Sequence, residues 1–241
     1  MKKLILISVA VIIAVMNYSC SESTDPSDDP NIKVVAQMTS NVVDVNAMKA
    51  KHPDFQASTI DSIVIKDFRI LLSEMKFQQI IDDEDSVTND RTMKSGPFLL
   101  KLDSTGKSFT LADGPFSRGR YSKIKFELHR FSASETTNYV NDEIYGDFAT
   151  ADRYSVIIKG LIYENGVSEA FVFNGTVTAN LWLKFDPDVV FYDTGDYTIT
   201  LDIDPNSAFI SGNTILDPRV QKDANDIDNA VKDAFKSVKK K

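Results

Sequence analysis

A two-residue alternation of apolar and polar side chains recurs along this 241-residue chain and restricts it to a β-rich fold. The clearest case is residues 121–131, in which Ile124, Phe126 and Leu128 fall on one face of an extended strand. The charged residues between them, and His129 after them, fall on the opposite face. We therefore expect His129 to be solvent-facing and not catalytic.

Other strands are predicted where alternation or a short apolar run is bounded by turn residues. In residues 59–81 the phase of the alternation slips several times, which indicates bulges or a strand that changes sheets. Asn165-Gly166 is the pair most typical of a type I′ hairpin, and Asp186-Pro187 is expected to end its strand. The predicted strands are residues 32–40, 59–81, 96–103, 107–112, 121–131, 153–163, 167–179, 180–185 and 197–203.

The only helix predicted with a clear period lies near the C-terminal end, at residues 223–238. Acidic residues near its start and lysines near its end suit the helix dipole. The apolar stripe is narrow, so we expect the helix to lie across one sheet or its edge. The stripe consists of Ile227, Val231, Ala234, Phe235 and Val238.

Residues 1–19 have the pattern of a secretory signal peptide, with Lys2 and Lys3 before an apolar run at residues 4–16. Such a run is too short to cross a hydrocarbon layer of about 30 Å as a helix. Ser19-Cys20 resembles the lipobox of bacterial lipoproteins, which implies that Cys20 is acylated with chains such as palmitate and anchors the protein to a membrane. The alternative is that Cys20 is an ordinary unmodified thiol.

Residues 20–31 form a predicted flexible acidic tether, since residues 21–31 are all polar, proline or acidic. Their acidic residues resemble an export signal of Bacteroidota lipoproteins for the outer face of the outer membrane, and a plain polar linker is the alternative. Residues 32–241 are then a single domain. The predicted location is the outer membrane, on its periplasmic or extracellular face.

Composition narrows the possible partners and chemistry. The chain has 27 Lys and Arg against 35 Asp and Glu, a formal net charge of −8, so nucleic acid is not expected to bind. Cys20 is the only cysteine, so the fold has no disulfide and relies on its apolar core. Only two histidines are present, His52 and His129, and no nucleophile elbow or phosphate loop occurs. We predict no catalytic residue, no metal ligand and no cofactor.

Two polar segments are candidates for binding. The acidic run at residues 82–85, in a loop predicted to extend to Lys94, is read as a solvated loop tip, with calcium binding as the alternative. Residues 132–152 lack a period, and a loop of this length is usually functional or mobile. Its aromatic and polar side chains would suit a sugar or a peptide, or the aromatic rings would instead cover the sandwich edge. The candidate ligand residues are Asn138, Tyr139, Asn141, Asp142, Tyr145 and Phe148.

Four sequence segments together resemble a family of uncharacterised Bacteroidota lipoproteins that carry a domain of unknown function. They are residues 65–74, 96–102 and 119–126, and Leu216-Asp217-Pro218 followed by Ala234-Phe235-Lys236. The resemblance implies an all-β fold, an antiparallel immunoglobulin-like or transthyretin-like β-sandwich with the C-terminal helix packed on it. It carries no catalytic motif. A non-enzymatic binding or adhesion module of the cell envelope is therefore expected, with a glycan or protein ligand.

Two other functions stay open. One is a structural subunit of a surface assembly, which would need an exposed strand edge. The other is a glycan-processing enzyme that uses two carboxylates, although the sequence does not mark which two.

Overall fold

The structure, a computed structural model, describes residues 29–51, 54–55, 58–81, 88–103, 105–192 and 195–240. The predicted leader, Cys20, most of the tether and the acidic run at residues 82–85 lie outside the described residues. Among the residues that are described, none of the helices is long and apolar enough to cross a membrane.

The described part of the chain is built mostly of strands, joined by short helices. The strands are β1 (Asn31–Met38), β2 (Val42–Asp44), β3 (Ile60–Ile80), β4 (Thr88–Leu102), β5 (Ser108–Pro115), β6 (Gly119–Leu128), β7 (Val156–Glu164), β8 (Val167–Gly175), β9 (Ala179–Phe191), β10 (Asp196–Ile203), β11 (Ile210–Ser211), β12 (Thr214–Ile215) and β13 (Phe235–Lys240). The α-helices are α1 (Val45–Lys51), α2 (Ala133–Tyr139) and α3 (Ala224–Ala230), and 3₁₀ helices cover Pro205–Phe209, Gln221–Asp223 and Val231–Ala234.

Two sheets pack face to face around the main core. One has the order β13-β10-β1-β5, and the other has β8-β7-β3-β6-β9 with β2 and β4 also paired to β3. The second half of β3, flanked by β4 and β6, lies under the four-stranded sheet, so that β13 lies beside β9 and β5 beside β4. The predicted all-β sandwich is confirmed. Among the strands named above, pairing is antiparallel except between β1 and β10, which are parallel.

Strand β3 organises the larger sheet because it is 21 residues long and pairs with different strands along its two halves. Its first half pairs with β7 and β2, and its second half with β6 and β4. The register shifts at several places, among them between Leu72 and Glu74 and between Ile65 and Asp67. These shifts are the bulges that the phase slips predicted.

The β7–β8 hairpin is also confirmed. Asn165 has a φ of 51° and Gly166 a φ of 79°, the left-handed conformations that a two-residue type I′ turn requires. All nine residues of β8 pair with β7 without a register shift.

The C-terminal helix is shorter than the predicted span 223–238. Helix α3 ends at Ala230, a 3₁₀ turn follows, and β13 pairs antiparallel with β10 instead of continuing the helix. The predicted apolar stripe is nevertheless buried throughout. Pairing with the open edge of β10 satisfies backbone hydrogen-bonding groups of β13. The helical pattern of the local sequence does not predict this partner. Asp228 holds α3 on the sandwich by accepting hydrogen bonds from the backbone of Thr176 and Val177.

Two strand boundaries also differ from the predictions. Strand β4 starts at Thr88, although residues up to Lys94 were predicted to be a loop, because pairing with β3 stabilises a stretch that has no apolar alternation. Strand β9 continues through Asp186-Pro187 to Phe191 with a register shift against β6. A proline is tolerated there because β9 is the outermost strand of its sheet.

Candidate functional site

The predicted binding loop, residues 132–152, is an ordered cover on the outer face of the larger sheet. It begins with α2, whose first turn has a capping box: Ser132 Oγ accepts from the Glu135 backbone N–H, and the Glu135 side chain accepts from the Ser132 backbone N–H. The Ser132 backbone N–H, together with other groups, lowers the pKa of Glu135. The sequence Ser-Ala-Ser-Glu carries this signal.

The three aromatic candidates of this loop point into the protein. Phe148 is fully buried in a small second core with Leu71 and Ile157. The Tyr139 ring stacks on Phe131 with 4.7 Å between the centroids, and Tyr145 meets Tyr139 edge to face at 5.3 Å. These ring faces serve packing, as the second interpretation of the loop expected.

The three polar candidates stay exposed, and one of them shapes the loop. Asp142 Oδ1 accepts from the backbone N–H groups of Ile144 and Tyr145 at 2.8 and 2.9 Å. The Tyr145 hydroxyl donates to Pro97 O, and burial, followed by the charge of Asp142, raises the pKa of Tyr145. Asn138 and Asn141 are exposed in the same loop.

His129 lies on the predicted outer face but is not fully solvent-facing. Helix α2 covers it, and its Nε2 lies 3.3 Å from a carboxylate oxygen of Glu135. Its ring also meets Phe131 edge to face. The histidine thus helps to fix α2 on the sheet. Within the described ranges no group of three or more His, Cys, Asp or Glu side chains is placed to hold a metal ion.

A cleft of about 510 Å³ lies at one edge of the sandwich, where β9 and β13 face each other. Its volume is within the usual range of ligand sites. The two strands belong to different sheets, and the cleft occupies the seam between them. It is lined by Phe185, Asp186, Pro187, Asp188, Val189, Val190, Tyr192, Tyr197, Val238, Lys239 and Lys240.

The floor of the cleft is apolar and carries one well-exposed aromatic ring at its rim. Phe185, Val189 and Val238 are buried and belong to the main core. Tyr192 is 68% exposed, whereas Tyr197 is half-buried beside Phe191. An exposed tyrosine next to a buried apolar floor offers a ring face for stacking.

Most of the charged groups of the cleft already have partners in the protein. Asp188 accepts from Arg120 Nε and Nη2 at 3.0 and 2.7 Å. Lys239 Nζ donates to Asp202 at 2.9 Å. Asp186 is exposed at the rim.

Lys240 reaches from β13 across the cleft to β9. Its Nζ donates to Val190 O at 2.7 Å and lies 4.2 Å from the centroid of the Tyr197 ring. One face of Tyr197 is therefore occupied by an ammonium group, which leaves Tyr192 as the available ring.

The cleft is therefore nearly neutral, with two carboxylates and two ammonium groups among its lining residues. Asp186 and Asp188 would repel an anionic ligand, and Lys239 and Lys240 would repel a cationic ligand. A neutral ligand with apolar faces and many hydroxyl groups fits this arrangement, because the Tyr192 ring and the valines can contact the apolar faces and the charged side chains can bond the hydroxyls.

The sequence did not indicate this cleft, because residues 186–192 were not predicted to form a strand and Val238 was predicted to be helical. Asp186-Pro187 was expected to end a strand, and Lys239 lies just past the predicted helix. One signal was present: Val189 and Phe191 continue the alternation of Phe185 beyond the proline.

Comparisons with protein-family models, with curated proteins and with solved structures found no match to this chain.

Proposed function

We propose that this protein is a lipid-anchored binding module of the cell envelope, without enzymatic activity, that holds a neutral glycan in the cleft between β9 and β13. The observation that carries the binding role is the exposed Tyr192 ring above an apolar floor whose charged neighbours are mostly paired. The loop at residues 132–152 is a poorer candidate for the ligand site than this cleft, since the aromatic rings of that loop are packed against the sheet.

Anchoring rests on the lipobox-like Ser19-Cys20 and the acidic tether that follows it. Several acyl chains on Cys20 would hold the chain on a bilayer, since each buried methylene contributes about 0.8 kcal/mol. Replacing Cys20 by serine should move the protein from the detergent phase to the aqueous phase in a phase-partitioning assay. Unchanged partitioning would contradict the anchor.

Binding is tested by screening the exported protein against a panel of neutral and charged glycans. Tyr192→Ala should weaken binding of a neutral glycan about two- to tenfold, because a stacking aromatic side chain contributes about 0.5–1.5 kcal/mol. Tyr192→Phe should retain most of the binding, since the ring face is kept.

Trp182→Ala is the matched control, because this tryptophan is 43% exposed on the outer face of β9 and does not line the cleft. It should bind as the unchanged protein does. Equal losses in Tyr192→Ala and Trp182→Ala, or binding lost only in Tyr139→Ala, would contradict the cleft. Release of sugar from any panel member would contradict the non-enzymatic role.

A further inference from the structure

Strand β8 is an edge of the larger sheet. It pairs with β7 along its whole length, and none of the other described strands pairs with its second side. An edge strand presents a row of backbone N–H and C=O groups to which another chain can pair, unless the edge is blocked.

The other edges of the two sheets carry features that discourage such pairing. Strand β2 has only three residues, β4 contains Pro97 and register shifts, and β5 ends at Pro115. Strands β9 and β13 face each other across the cleft, with Pro187 on one and lysines on the other.

Strand β8 has none of these features. Its sequence, Val-Ser-Glu-Ala-Phe-Val-Phe-Asn-Gly, lacks proline and lysine, and no bulge interrupts it. Val167 and Val172 are 70% and 57% exposed. On the solvent face of the sheet an apolar row also runs across four strands, from Val42 through Val64 and Leu161 to Ala170 on β8.

The hairpin determines which residues of β8 face outward. A two-residue turn places Glu164 and Val167 in a hydrogen-bonded pair, so the odd-numbered residues of β8 bond to β7. Ser168, Ala170, Val172 and Asn174 consequently direct their backbone groups to the open edge.

We propose that β8 is a homodimer interface, in which the β8 strands of two copies pair antiparallel about a two-fold axis at Phe171. In this register Ala170 lies opposite Val172 of the second copy, and Ser168 opposite Asn174. Both are pairs of outward-bonding residues, so the ladder hydrogen bonds form. The apolar row of each copy then continues onto Val172 of the other.

The charges of β8 favour a second copy of the same chain. Glu169 is the only charged residue of the strand, and the two-fold pairing places it opposite Phe173 and not opposite another carboxylate. Arg219 also holds Glu169 at 2.8 Å within its own copy. Like charges therefore do not face each other across the pair.

Sedimentation over protein concentration, on the exported protein with Cys20→Ser, tests the pairing separately from glycan binding. We expect a monomer–dimer equilibrium. Val172→Lys should raise the dimer Kd about tenfold, because the two symmetry-related contacts between Val172 and Ala170 are lost and two lysines then lie at diagonal positions across the two-fold pair. Val42→Lys makes the same change on the solvent face at the far side of the sheet, where Val42 is 42% exposed, and should leave the dimer unchanged.

A second variant separates loss of the dimer from loss of folding. Ala170→Pro removes one outward N–H and no bond to β7, so it should keep the unfolding transition and lose the dimer. A protein that is monomeric up to about 100 μM, well above the Kd range of specific complexes, overturns the proposal. So does a dimer that persists in both Val172→Lys and Ala170→Pro, or one that Val42→Lys weakens equally. None of these outcomes depends on the cleft.

Discussion

Asp202 ties together three strands of the smaller sheet. It lies in β10, is almost entirely buried, and accepts hydrogen bonds from Gln37 of β1 at 2.7 Å and from Ser237 and Lys239 of β13, each at 2.9 Å. Burial favours a higher pKa, but the hydrogen bonds from Lys239, Gln37 and Ser237 outweigh it and lower the pKa of Asp202 below its usual 3.8. The ionised form is therefore the stabilising one.

The protein should lose part of its stability in acid through this residue. Because the pKa of Asp202 is lower in the folded than in the unfolded state, its contribution is complete above about pH 4 and is lost as the pH falls through the folded-state pKa. Asp202→Asn should be less stable at pH 7 and should depend less on pH below 4. Urea unfolding between pH 2.5 and pH 7 measures both effects.

Asp196→Asn, at the exposed start of the same strand, is the control and should change the free energy of unfolding at pH 7 by less than about 0.5 kcal/mol. Parallel curves for the unchanged protein and Asp202→Asn would contradict the role of the network.

The β7–β8 hairpin is the element whose geometry depends most directly on two residues. Gly166 lies in the left-handed region, where a side chain is strained even though a Cβ there would meet no atom within 4 Å. The same hairpin sets the register of β8 and hence which of its residues face the open edge.

Gly166→Ala should lower the free energy of unfolding by about 1 kcal/mol, because alanine disfavours a φ of 79°. Chemical denaturation monitored by circular dichroism measures this loss. Gly114→Ala is the matched control: a Cβ there is also unobstructed, but its φ is not in the left-handed region, so the change should stay within about 0.5 kcal/mol. Equal losses would mean that the turn is not strained by a side chain.

Across the whole molecule, one lysine bridges the two sheets at each side of the sandwich. Lys94 of β4 donates to Leu111 O of β5 and lies 4.7 Å from the Phe98 ring centroid. Lys240 of β13 donates to Val190 O of β9. The Lys94 bond is part-buried and the Lys240 bond is exposed. Burial lowers the pKa of Lys94. Among the described strands, β4 does not form a β-ladder with β5, and β9 does not form one with β13.

Removing the two bridges should have additive effects, because they lie at opposite sides and share no partner. Lys94→Met should cost about 1–2 kcal/mol, as expected for a part-buried hydrogen bond from a charged donor, and Lys240→Met less than about 1 kcal/mol. The double variant should equal the sum within about 0.5 kcal/mol in guanidinium unfolding.

Lys101→Met, on an exposed position of β4, should change stability by less than about 0.5 kcal/mol. A double variant that departs strongly from the sum would show that the two seams are coupled through the core.

Local sequence was sufficient for most of the strands and for one turn. Alternation identified β3, β6 and β10, a short apolar run identified β1, and Asn165-Gly166 identified the β7–β8 hairpin because few other residues adopt its φ values. The phase slips of residues 59–81 also anticipated the bulges of β3.

Tertiary structure decided the remaining elements and the candidate site. Polar residues 88–95 form a strand only because β3 offers a partner, and residues 235–240 leave the helical pattern because the edge of β10 is open. The cleft and the free edge of β8 likewise depend on which strands end up side by side. A local pattern determines which side chains of one segment face the core. Which strands lie side by side is determined by contacts between residues far apart in the chain.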